Sequence, residues 1–237
     1  MSLPNECHMH PLERNFADLR NHSFLVNVFG GKPINESLAE LTEKEQDTVR
    51  RFRILLVYQL LKCARHYQHA RENILAQIRA TESYRRDSSG GFVFEIIDFP
   101  YNFDDCISSL DHIRVLGHQM MKVWPGGKLH YPSELKETIE TVKSLKNYTS
   151  HMHGNVEKPG PVLFSVSEDG RRALLGSNNI DFSSLATLIH ASFDAIATLY
   201  PQFSPEERVA PPPTALRLTA TTEIVVRTVD NASKPNK

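Results

Sequence analysis

From Thr42 to Ser89 the chain contains neither glycine nor proline, the two residues that most readily interrupt a helix. Within it Phe52, Leu56, Leu60, Cys63, Tyr67, Ala70, Ile74 and Ile78 step by three or four, the repeat that lines one face of an α-helix. Thr42-Glu43-Lys44-Glu45 has the form of a capping box and marks the start. The spacing predicts one helix of about forty residues, or two nearly collinear ones, ended by Gly90-Gly91. A helix this long needs partners along its whole length.

The rest of the chain supplies them. Phe92–Phe99 is apolar and strand-like in composition. Asn102 or Asp104 is the expected cap of a second helix, along which Phe103, Cys106, Ile107, Leu110, Ile113, Gly117, Met120 and Met121 keep helical spacing up to Trp124-Pro125-Gly126-Gly127. Pro132-Ser133-Glu134 opens a third, with Leu135, Ile139, Val142 and Leu145 on one face. Ser167-Glu168-Asp169-Gly170 between two apolar runs signals a hairpin at about 162–175. Asp181 or Ser183 then caps a closing helix carrying Leu185, Leu188, Ile189, Phe193 and Ile196. The expected fold is mainly α, an antiparallel bundle of about four helices with a small β-hairpin and irregular termini. Its core should hold Phe52, Leu56, Leu60, Leu110, Ile139, Val142, Leu185, Ile189 and Phe193. Residues 1–41 read as an irregular N-terminal segment with one apolar cluster, Phe24–Phe29, 42–200 as the helical domain, and 201–237 as a flexible proline-containing tail in which 223–227 could form one strand.

At 237 residues with 40% hydrophobic and 23% charged composition, the chain has ample material for a core. A net charge of -1 excludes an overall basic coat for nucleic acid but not a local patch. Cys7, Cys63 and Cys106 are odd in number and form no CxxC pair, which points to a reducing compartment and away from a disulfide framework. No apolar run approaches the roughly 20 residues of a membrane span, so the expected location is cytoplasmic and no membrane partner is expected. Cys7-His8-x-His10 and His151-x-His153 lack a second ligand set at zinc-finger spacing, no nucleophile elbow is present, and neither metal nor cofactor is expected.

One charge run stands out. Between residues 50 and 86 lie Arg50, Arg51, Arg53, Lys62, Arg65, Arg71, Arg79, Arg85 and Arg86 against Glu72 and Glu82, a net +7. It reads either as a path for an anionic partner such as RNA, with Lys62, Arg65 and Arg79 as contacts, or as a solvated face aided by acidic residues at the helix start.

The third helix ends in Lys146-Asn147-Tyr148-Thr149-Ser150-His151. Asn147 and His151, four apart, share a face, while Lys146 lies about 140° round from His151. With the order of long helix, second helix, third helix, hairpin and closing helix over roughly 40–200, this cluster resembles the HEPN superfamily (higher eukaryotes and prokaryotes nucleotide-binding), whose mark is an Arg, a polar residue, and a His a few positions on. Lys146 stands where the family has Arg. The resemblance implies a homodimer and metal-independent RNA cleavage, with Lys146, Asn147 and His151 as catalytic residues. A histidine can move the proton of a ribose hydroxyl near neutral pH. Lysine, a point charge, lacks the planar fork that arginine offers a phosphate. The family also contains inactive nucleotide-binding and protein-binding relatives, so a non-catalytic interaction or nucleotide-binding protein is the alternative, and a plain helix end with cations near its carbonyls is the third.

Overall fold

A computed structural model describes residues 11–19, 38, 40–87, 98–151 and 159–199, excluding the side chains of 11 and 80–87. A short helix, α1 (Pro11–Asn15), precedes the long α2 (Glu43–Asp87), one unbroken helix of 45 residues. The capping box forms at its head. The Thr42 N–H and hydroxyl both donate to Glu45 Oε2, at 2.9 and 2.7 Å, and the Glu45 N–H reaches Thr42 Oγ1 at 3.4 Å.

Helix α3 (Asp98–Val123) begins a turn earlier than the residue types indicate. Pro100 sits in its first turn, where a missing N–H costs nothing. Asn102, expected as a cap, instead donates Nδ2 to the Asp98 carbonyl at 2.8 Å and places Oδ1 2.9 Å from His66 Nδ1 on α2. Asp98 and Phe99, the described end of the strand-like run, are therefore helical. Residue numbers run in opposite directions between the contacts Lys62···Asp105 and His66···Asn102, so α2 and α3 are antiparallel. Pro125–Gly127 then turns the chain, and a 3-10 turn at Ser133–Leu135 leads into α4 (Lys136–Ser150).

Three antiparallel strands follow in the order β1 (Ser165–Val166), β2 (Arg172–Leu175) and β3 (Asn178–Asp181). The Asp-Gly turn joins the first two, with Ser167 Oγ donating to Asp169 at 2.6 Å and Gly170 at φ +67°. Strand β3 was not expected, because Asn-Asn-Ile-Asp has poor strand propensity. Register with β2 and burial of Ile180 hold it. The chain closes with α5 (Phe182–Ala197). Asp181 occupies the expected cap position but makes no side-chain capping bond. Its carboxylate accepts from Arg172 Nε at 3.1 Å across the hairpin.

The result is a mainly α bundle with a small antiparallel sheet, as the periodicity indicates. Aromatic contacts at its centre join α2, α3, α5 and the chain just after α1. Phe16, just after α1, stacks on Phe182 at 4.0 Å and meets Tyr67 edge-on at 4.8 Å. Phe103 packs edge-on against Phe182 and Phe164. Leu12 and Phe16 are fully buried and Leu19 is buried, so the segment read as irregular contributes these three side chains to the core. Leu56, Leu60, Leu110, Val142, Leu185 and Ile189 are buried as expected, whereas Phe52, Ile139 and Phe193 are only partly buried at its edge. The apolar cluster 24–29, residues 92–97, Cys7, His8, His10, His153 and the tail with 223–227 lie outside the described residues.

Candidate functional site

The last turn of α4 is set by one side chain. Tyr148 is buried, with its ring over the two-residue connection Gly176-Ser177 between β2 and β3. Gly176 has φ +57°, and a methyl group there would lie 2.5 Å from Tyr148 Cε2, so both the turn and the ring demand glycine. Anchoring Tyr148 turns its neighbours outward. Asn147 and His151 are exposed and Lys146 is half-buried. The His151 N–H donates to the Asn147 and Tyr148 carbonyls, both at 3.2 Å, and the Thr149 hydroxyl donates to the Lys146 carbonyl at 3.0 Å. These bonds complete a helix end.

The cations of α2 divide. Lys62 Nζ is 3.0 Å from Asp105 Oδ1, and Arg79 Nη2 is 2.8 Å from Glu13 Oε1. Arg71 is buried, donating from Nε to the Phe16 carbonyl and lying 3.6 Å from Asp18. Arg51 pairs with Asp47 one turn away. Arg50 and Arg65 are exposed, with no ion pair among the described residues. Arg71 and Arg79 thus fasten residues 13–18 to α2, beside a cleft of about 290 Å³ that also takes in Glu72 and Leu75. Of the three side chains read as RNA contacts, only Arg65 is not held by a carboxylate among the described residues.

Polar groups also meet between α2 and α3. Asp105 takes Lys62 on one oxygen and lies 3.8 Å from His66 Nε2 on the other, while His66 Nδ1 faces Asn102. Next to them Cys63 and Cys106, both fully buried, have their sulfurs 3.6 Å apart. Burial, then the hydrogen bond shared with Cys63, pushes the Cys106 thiol well above its ordinary range. That makes it a poor nucleophile. Among the described residues no group of three His, Cys, Asp or Glu is placed to hold a metal ion, and no helix is long and apolar enough to cross a membrane.

The most distinctive surface lies on the opposite side of α2 from the core. Ile54, Leu55, Tyr58 and Leu61 are 54, 44, 59 and 42% exposed. At 100° per residue they occupy an arc of about 120° centred near Tyr58, while Leu56, Leu60, Cys63 and Tyr67 point the other way. Periodicity singled out the buried face and passed over this one. The signal was present: Ile54–Leu61 reads ILLVYQLL, apolar on every side of the helix, which one core cannot use up. No family model, curated protein or solved structure matches this chain.

Proposed function

We propose that this protein is a non-catalytic helical interaction module that holds a partner on the outer face of α2. The observation that carries the reading is the apolar ridge Ile54, Leu55, Tyr58 and Leu61, exposed on a helix whose opposite face already fills the core. Large apolar side chains scattered singly on a surface need no explanation, but four adjacent ones on a single helix mark an interaction site. The arrangement also suits the long helix, which is braced on one side by α3 and presents its other side as a rigid rod. The test is a photo-crosslinking residue placed at Tyr58, in cells that make the protein, with the same residue at exposed Thr187 on α5 as control. Protein adducts at position 58 and none at 187 are expected. Equal labelling at both positions sinks the reading.

Ribonuclease-like RNA binding is a second reading, favoured by the exposure of Asn147 and His151 at the end of α4 and by exposed Arg65. In it His151 moves the proton, Asn147 orients phosphate, and Lys146 supplies the charge. Purified protein should then cleave RNA in the presence of EDTA, His151→Ala should abolish cleavage, and Lys146→Arg should raise the rate. Absence of cleavage in both the starting protein and Lys146→Arg removes the catalytic form of this reading.

A further inference from the structure

We infer that the ridge on α2 receives an acidic amphipathic helix from another protein, with an apolar stripe on Ile54, Leu55, Tyr58 and Leu61 and a carboxylate at each end. This rests on the interaction-module reading and names the chemistry of its partner. The argument starts from the ends of the ridge. Arg51 and Arg65 stand seven residues before and after Tyr58, which places each within about 20° of its direction and ~10 Å along the axis. Arg50, exposed beside Arg51, adds to the same end. Arg51 has a local pair with Asp47, but both side chains are more than half exposed, at 77 and 51%, and such a pair holds its members loosely. The ridge is thus an apolar strip of two turns with a cation at either end.

This symmetry decides against a second copy. Antiparallel pairing about Tyr58 sets Arg51 of each chain against Arg65 of the other, and parallel pairing sets each arginine against itself. Like charges meet both ways, at a cost in affinity. The exposed area agrees. Four half-exposed side chains offer on the order of a few hundred Å², short of the ~800 Å² per partner of a stable dimer but suited to one helix laid along another and read through anchors at i, i+3, i+4 and i+7. Carboxylates on the incoming helix about 14 residues apart match the ~21 Å between the arginines.

The experiment uses the full chain and two labelled helical peptides of about 20 residues, identical in their leucine stripe, one ending in glutamates at both sides and the other in lysines. Fluorescence anisotropy should show the acidic peptide binding about tenfold more tightly than the basic one, with the gap narrowing as salt rises. The double variant Arg51→Glu, Arg65→Glu should reverse the order, and Tyr58→Glu should abolish binding of both. Lys136→Glu, exposed on α4, should change nothing. Equal affinity for the two peptides, no binding of either, or an order unchanged in the double variant overturns the inference. So does a dimer in sedimentation equilibrium that Tyr58→Glu dissolves, because the occupant is then a second copy. Crosslinking at position 58 separates the two failures: adducts that persist while peptide preference is absent leave the interaction reading standing and remove only its acidic partner.

Discussion

Single residues tie the distant parts of this chain together. Phe16 contributes no helix or strand, yet it stacks on Phe182 and meets Tyr67 and Phe103 edge-on in a fully buried site. Truncating a buried phenylalanine forfeits its transfer energy and leaves a cavity, so Phe16→Ala should cost roughly 3–5 kcal/mol by urea denaturation. A loss below about 1 kcal/mol contradicts this packing. The buried thiols are as closely held. Burial drives the Cys106 thiol up and keeps reagent out, so mass spectrometry of native protein treated with iodoacetamide should find the Cys63 and Cys106 peptides unmodified and denaturant should expose both. Rapid native labelling of either would show that α2 and α3 part there.

At the scale of elements, ends and turns carry the specific chemistry. The hydrogen bonds from the Thr42 hydroxyl and then its N–H hold the Glu45 carboxyl below its ordinary value of 4.5. A carboxylate lowered in the fold stabilises it above the unfolded value, and that stabilisation fades as pH falls through the lower folded value. An NMR titration of the Glu45 side chain should therefore have its midpoint below 4.5, and Thr42→Ala should return the midpoint toward 4.5 while costing about 1 kcal/mol as a lost cap. An unmoved midpoint sinks the capping assignment. Gly176 is the counterpart in the sheet. Gly176→Ala combines a positive φ with a methyl driven into the Tyr148 ring, so it should destabilise by at least about 1–3 kcal/mol. It should also shift the amide resonances of Asn147 and His151, because Tyr148 sets the direction of that helix end.

Among the described residues the molecule has one core that runs without a break from Leu12 in α1 to Ile196 in α5. Such a core should unfold as a unit. The single tryptophan, Trp124, is buried after α3 and reports its surroundings, whereas far-UV circular dichroism reports chiefly α2. Their thermal midpoints should coincide. Separate midpoints would mean that the end of α3 around Trp124 melts apart from α2.

Much of this was legible locally. The capping box, the Asp-Gly turn and the apolar stripes of α2, α4 and α5 each depend on residues within a few positions of one another, so the chain alone determined where most helices lie and which faces they bury. Three kinds of feature were not. Residues 11–19 look irregular because α1 is too short to show periodicity, and tertiary contacts, with Tyr67, Phe103, Phe182, Arg71 and Arg79 among them, give them a place. Strand β3 has weak propensity, although Gly176-Ser177 was a short hairpin signal beside it, and it exists through its register with β2. The polar groups shared one cause: whether Lys62, Arg79 and Asp181 face solvent or a carboxylate or arginine of the same chain depends on which elements meet. The sequence by itself determined most of the helices, their net charge and the stripe of α2 that fills the core. Tertiary structure alone decided which charges were neutralised inside the fold and that the second apolar face of α2 was left outside, because local spacing marks an apolar face but not whether a partner element reaches it.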